Sequence, residues 1–408
     1  MNICGIIAEY NPFHEGHRYH IEKSREMTNA GLMISVMSGS FTQRGIPAFF
    51  DKFSRAEAAV KNGIDIVCEM PPAASLSSAE FFALSGVKAL NSLGADVISF
   101  GSESGNISEL TELAGFLSNE DETFSELVKK GLAEGLSYPA ALQKALDSKG
   151  HPLSRLLDSP NNTLGLEYLK AIRFLELDMK AVTVKRAGQA YHAGEEFFDA
   201  GRDTSDASFP SSSSLRSMLK ASGSEKYLEN DDFTGVLSGR IHSLATPFSM
   251  QSRYDFSVFA DISADLSDKI NNEIKKPFTF TDLAMRLKTK NMTFARICRC
   301  LWHIILDIKK EDVLKIRQSR TCDYLRILAF SEKGGRYLKE YRLRTEEDSS
   351  LPKLVQRPAR DLSGLSSTAH MAFFKDITAS NLYRQVYYEK YKQYIPDDYS
   401  YTIKPGTV

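Results

Sequence analysis

Long hydrophobic runs are missing from this chain: nowhere do about 18 apolar residues follow one another, the length a membrane-spanning helix needs. No basic leader precedes the first apolar segment, so a cytoplasmic protein with no membrane partner is expected. Cysteine is scarce. Cys4, Cys68, Cys298, Cys300 and Cys322 share no framework spacing, which excludes a disulfide-stapled scaffold and fits a reducing compartment. Cys298-Arg299-Cys300 has no second Cys or His pair at zinc spacing nearby, so these thiols read as buried side chains and no metal site is expected. No acidic cluster announces a metal cage, no internal repeat recurs, and the serine runs are too short for a low-complexity tail. Net charge is almost absent too, at −1. That balance hides an asymmetry: residues 1–240 carry 23 Lys and Arg against 32 Asp and Glu, a net −9, and the remainder 28 against 20, a net +8. A basic half joined to an acidic one suits a polyanionic partner such as nucleic acid, and equally a helical bundle with a solvated basic face.

What the chain does have is a regular alternation. Apolar runs open the sequence at Ile6-Ile7-Ala8 and recur at 32–37, 64–70, 95–100 and 180–185. Helical patterns fill residues 15–29, 52–62, 78–93, 107–117 and 164–177. Strands at this spacing with helices between them predict right-handed crossovers and a doubly wound parallel α/β sheet, whose ligands bind beyond the C-terminal strand ends. Polar or glycine-containing turns at Asn11, Ser38 to Ser40, Pro71 and Gly101 close the first four strands and converge on that edge. The length predicts two domains, 1–235 and a basic, mainly helical 236–408.

The first of those turns carries the clearest chemistry. Asn11-Pro12-Phe13-His14-Glu15-Gly16-His17 delivers His-x-Gly-His at the mouth of a helix. Gly16 lets an anion approach, first-turn N–H groups point at it, and two imidazoles can donate to phosphate oxygens. A second serine-rich helix start, Ser211-Ser212-Ser213-Ser214-Leu215-Arg216, could hold further phosphate oxygens or simply cap its helix. Asn161 or Asn162 could read an adenine edge or cap the helix that follows. Ser38, Gly39, Thr42, Gln43, Arg44, Lys52 and Arg55 form a polar, basic group after the second strand, with Asp51 expected as a helix N-cap.

Set side by side, Glu9 to His17, Met37 to Gly45, Asp51 to Ala56 and Phe100 to Glu103 resemble, in order and spacing, the bacterial tRNA(Met) cytidine acetate ligase family of the nucleotidylyltransferase superfamily. Asn161 to Gly165, Arg186, Tyr191-His192 and Ser211 to Arg216 continue the likeness, with four serines where the family more usually has Ser-Ala-Thr-Ala. The resemblance implies an enzyme that activates acetate with ATP, Mg2+ accompanying the nucleotide, and acetylates the exocyclic amine of the wobble cytidine in elongator tRNA(Met). It implies an ATP site formed by Ile7, Ala8, Glu9, Tyr10, Asn11, Pro12, Phe13, His14, Gly16 and His17, together with Gly101, Asn161, Asn162, Arg186, Ser211, Ser212, Ser213 and Arg216. His14 and His17 are then expected to stabilise the leaving pyrophosphate, and Lys52 and Arg55 to serve acetate or the acyl phosphate. A small-molecule adenylyltransferase would explain the N-terminal motifs but leave the basic half unused, and a non-catalytic RNA-binding protein would have no need of the site residues. In the basic half, Lys288, Lys290, Arg296 and Arg299 lie among aromatics and are the expected tRNA contacts, whereas Phe294, Trp302 and Ile305 at helical spacing read as packing. A homodimer is left open.

Overall fold

A computed structural model describes residues 1–119, 121–186, 210–245, 253–403 and 405–406; Tyr191-His192 lies outside them. Seven strands form one sheet: β1 (Ile3–Ala8), β2 (Leu32–Ser38), β3 (Ile66–Met70), β4 (Val97–Ser102), β5 (Lys180–Lys185), β6 (Tyr324–Phe330) and β7 (Lys353–Val355). Their order is β5-β4-β1-β2-β3-β6-β7. The first five are parallel, as the alternation of runs requires, and β1 at the centre pairs Ile3 to Ala8 with Leu32 to Met37. Because successive side chains point to opposite faces, Ile3 and Ile7 pack on the helices Ala79–Ser92 and Pro160–Phe174. Cys4 and Ile6 pack on Glu15–Thr28 and Lys52–Lys61.

Beyond residue 235 the chain is mostly helical, as expected, yet two of its segments complete the sheet. β6 runs antiparallel to β3, and β7 pairs parallel with β6, so sheet hydrogen bonding crosses the expected boundary. The helices build a second core around Trp302, which packs 4.0 Å from the Phe41 ring and donates from Nε1 to the Gly45 carbonyl at 3.1 Å. The loop after β2 is thereby anchored in the helical part. Cys298 and Cys300 are buried in this core. Among the described residues, no helix is long and apolar enough to cross a membrane.

Candidate active site

At the C-terminal ends of β1, β4 and β5 a cavity of about 470 Å³ opens. Residues 7–11, His14, Gly16, His17, Gly101, Asn161, Arg186, Ser211, Ser212, Ser213 and Arg216 all line it. Four cations, Arg44, Lys185, Arg186 and Arg216, share its wall with one carboxylate, Glu9, a balance that suits a polyphosphate.

The turn after β1 is held from three sides. Arg216 Nη1 donates to the Asn11 carbonyl at 2.6 Å, Phe49 N donates to Asn11 Oδ1 at 2.6 Å, and Arg55 Nη1 donates to the Glu9 carbonyl at 2.7 Å. Tyr10 sits at φ +46, a left-handed conformation that costs a residue with a bulky side chain of order 1–3 kcal/mol. Its ring is buried and packs 5.1 Å from both Phe13 and His17, which keeps the turn in place.

His14 is the N-cap of Glu15–Thr28, and its Nδ1 accepts from Gly16 N at 3.1 Å. His17 Nδ1 accepts from His14 N at 3.3 Å. Since each Nδ1 receives a backbone N–H, the hydrogen-bond pattern places both ring protons on Nε2. His14 Nε2 lies 3.0 Å from Ser212 Oγ, and the two rings stack with centroids 3.8 Å apart. Burial, followed by repulsion from Arg186, lowers the His14 pKa from 6.5 to about 4, and the same influences, with its neighbouring imidazoles, hold His17 well below 6.5. Both imidazoles are therefore neutral near pH 7 in this structure.

Ser211 caps the helix Ser212–Ser222, its Oγ accepting from Ser214 N at 3.1 Å, and Ser213 Oγ accepts from Arg216 and Arg44. Two helix N-termini thus face one cavity, which concentrates N–H donors and positive helix ends where an anion would bind. Gly101 lies on the cavity wall, and a Cβ there would come no nearer than 3.4 Å to its closest neighbour, Arg186 Cγ, an ordinary contact. Packing within the protein does not demand glycine, so the space it leaves belongs to the cavity.

Other expected residues sit elsewhere. Pro12 and Phe13 shape the turn without lining the cavity, and Asn162 is buried behind it, its Oδ1 accepting from Glu103 N at 3.0 Å and Ser104 N at 3.2 Å. Asn161 lines the cavity while its amide donates to Glu103 Oε1 at 2.6 Å; the cap of that helix is Ser159. Lys52, 2% exposed, spends its ammonium on both Glu69 oxygens and on Asp398 Oδ1 at 2.7 Å. Burial opposes that charge, but Asp398 and Glu69 outweigh it and raise the Lys52 pKa. Arg55 is also buried and donates to the carbonyls of Phe50, Glu9, Ser38 and Gly39. Neither side chain reaches the cavity. From the same basic group, Gln43 and Arg44 do. Asp51 caps its helix as expected, accepting from Phe53 N at 2.9 Å.

Of the basic residues assigned to RNA, Lys288 and Lys290 are exposed, whereas Arg296 is engaged by Asp261 through contacts down to 2.6 Å and Arg299 Nη1 donates to the Gln43 carbonyl at 3.1 Å. The cavity also includes His20, whose Nε2 lies 3.2 Å from Ser99 Oγ. Its spacing from His17, one helical turn on, was the available signal. Phe82 and Tyr168 also line the cavity and carry no signal beyond helical apolar periodicity.

A parallel sheet that presents His-x-Gly-His and a second helix start to one cationic cavity is the architecture of a nucleotide-transferring enzyme. Residues 1–397 match the family described as HIGH Nucleotidyl Transferase. Curated relatives called tRNA(Met) cytidine acetate ligase include one from Clostridium novyi, 35% identical over 88% of this chain and 90% of its own length, and one from Clostridium perfringens, 35% identical over 94% and 95%. The apo crystal structure of Thermotoga maritima TmcAL superposes with a TM-score of 0.81 at 26% identity, covering 98% of both chains. The same protein bound with alpha-thio ATP gives 0.80 at 25% identity and the same coverage. The chain belongs to the tRNA(Met) cytidine acetate ligase family.

Proposed function

We propose that this enzyme condenses acetate with ATP and acetylates the exocyclic amine of the wobble cytidine in elongator tRNA(Met). An acetate oxygen attacks the α-phosphorus, the bond to the bridging oxygen breaks, and pyrophosphate leaves. The cytidine amine then attacks the acetyl carbon, losing a proton, and AMP departs. What this chain's residues contribute is charge stabilisation at fixed positions: the Nε2–H groups of His14 and His17, two sets of first-turn amides, and Arg186 and Arg216. Mg2+ is taken to enter with the triphosphate, and among the described residues no three His, Cys, Asp or Glu side chains are grouped to hold an ion themselves. A tRNA-modifying enzyme with free, mostly buried thiols belongs in the cytoplasm.

The observation that carries this reading is the pair of neutral imidazoles, both presenting Nε2–H, at the start of a helix in a chain that matches acetate ligases along nearly its whole length. Incubation with ATP, radiolabelled acetate and total tRNA is the test. Label should enter tRNA with release of AMP and pyrophosphate. Label transfer from acetyl-CoA without ATP, or adenylylation of a small molecule with no label in RNA, would overturn the proposal.

A further inference from the structure

An aromatic and basic surface lies beside the cavity, outside the residues used above. The helix Ser367–Tyr391 and the segment after it carry Tyr387, Tyr388, Tyr391 and Tyr394, and Tyr227 meets them from another part of the chain. Tyr394 is 82% exposed, yet its ring stacks on Tyr388 with centroids 4.7 Å apart and 28° between planes. Lys392 Nζ sits 5.5 Å from the Tyr388 ring centre, Lys226 5.8 Å from that of Tyr391, and Lys390 5.4 Å from those of both Tyr227 and Tyr391. Asp232 and Glu229 pair with Lys390 and Lys220, so much of this positive charge is compensated and the distinctive property of the surface is its exposed rings.

Internal packing accounts for part of the cluster. Tyr383 is buried and donates to the Ala48 carbonyl at 2.9 Å, and Tyr391 Oη donates to the Tyr227 carbonyl at 2.7 Å. Tyr394 is instead held against Tyr388 by a hydrogen bond between the two side chains, which keeps the rings together while leaving Tyr394 exposed. Tyr227, to which Tyr391 is bonded, is tied to the cavity twice. Tyr227 stacks on Phe49, 5.0 Å away and 11° from parallel, and Phe49 N is bonded to Asn11 in the cavity wall. The 11-residue helix Ser212–Ser222, roughly 16 Å long, begins at the phosphate site and ends near Lys220, whose ammonium lies 4.9 Å from the Tyr227 ring centre. That is the reach of a few unstacked nucleotides.

We infer that Tyr388 and Tyr394 form a stacking platform for bases of the RNA loop flanking the nucleotide inserted in the cavity, with Lys226 and Lys392 beside the phosphates. The inference rests on the proposed tRNA substrate. Stacking on aromatic side chains is how proteins hold splayed loop bases, and it tolerates any base because each has a π face.

The test uses full-length protein, unmodified elongator tRNA(Met) transcript and a synthetic RNA hairpin whose loop carries a cytidine. Tyr394→Ala and Tyr388→Ala/Tyr394→Ala should weaken binding of both RNAs by about tenfold or more, the usual effect of losing one stacked base. Tyr388→Phe/Tyr394→Phe should bind like wild type, and acetate-dependent pyrophosphate exchange should be unchanged in every variant, which also reports folding. The salt dependence should keep its slope, since no phosphate contact is removed. Unchanged affinity in the alanine variants, with wild-type acetylation intact, overturns the platform alone. Failure of the wild type to bind or label tRNA overturns the proposed function with it.

Discussion

His14 Nε2 reaches Ser212 Oγ at 3.0 Å, a contact that spans 198 residues of sequence and joins the turn after the first strand to the serine-rich helix. With the ring proton on Nε2, His14 donates to Ser212 in this contact, and a phosphate oxygen arriving beside the pair would take over the His14 N–H while accepting from the Ser212 hydroxyl as well. The two motifs form one donor array, and neither is complete alone.

Removing a donor from that array should therefore slow activation more than it destabilises the fold. His14→Ala and His17→Ala are each expected to cut acetate-dependent pyrophosphate exchange by about 10²-fold or more, the scale for loss of one preorganised charge-stabilising donor. Ser212→Ala should lose less, because the amides around it remain. Circular dichroism of the variants should match wild type. Wild-type exchange rates in both histidine variants would remove these side chains from the mechanism.

The same imidazoles make the protein acid-sensitive. Burial, then Arg186, lowers the pKa values of His14 and His20 to about 4, below their ordinary 6.5. Unfolded, they titrate near 6.5, so between these values the unfolded chain binds more protons and stability falls as pH drops. The contribution is complete above about 6.5 and lost by about 4, at most roughly 3 kcal/mol per imidazole. Urea unfolding without nucleotide should show this slope, and His20→Asn should flatten it. An equal slope in the variant would mean that His20 is protonated in both states.

Lys52 supplies a test of position against chemistry. Lys52→Met leaves Glu69 and Asp398 buried without their shared cation, and breaking such a pair costs about 3–5 kcal/mol. Lys52→Met/Glu69→Gln, which keeps the 3.2 Å ion pair between Asp398 and Arg326, should recover part of that loss. Its KM for acetate should stay near wild type, because the ammonium does not reach the cavity. A folded double variant with a more than tenfold higher KM for acetate would return Lys52 to substrate contact.

Lys52 also shows where sequence reading stops. Strand and helix periods, the strand-end turn and the Asp51 cap are local patterns, and they located β1 to β5 and the turn and helix-start residues of the cavity, while the family resemblance supplied Ile7 to Tyr10 and Arg186. A lysine beside a basic run resembles an anion ligand until its partner appears, and Asp398 lies 346 residues away. β6 was hidden for the same reason: Arg326 interrupts its apolar run, and its charge is tolerable inside a sheet because Asp398 and the carbonyls of Val355 and Gln356 meet it after folding. Arg55 is satisfied by four carbonyls that come together only after folding. His20 was missed, although its spacing from His17 was visible in the sequence.

The basic half separates into cations presented to solvent and cations already spent. Lys288 and Lys290 are exposed, while Arg296 is held by both Asp261 oxygens. If the first pair meets the tRNA backbone, Lys288→Ala and Lys290→Ala should each weaken binding and reduce the log–log salt slope by roughly one. Arg296→Ala should act differently: Asp261 loses its partner and stability drops, with little change in slope. Measuring affinity across a salt series together with urea midpoints separates these outcomes. Unchanged slopes in both lysine variants would make that loop solvated surface and leave RNA binding to the Tyr388 and Tyr394 rings and the cations at the cavity mouth.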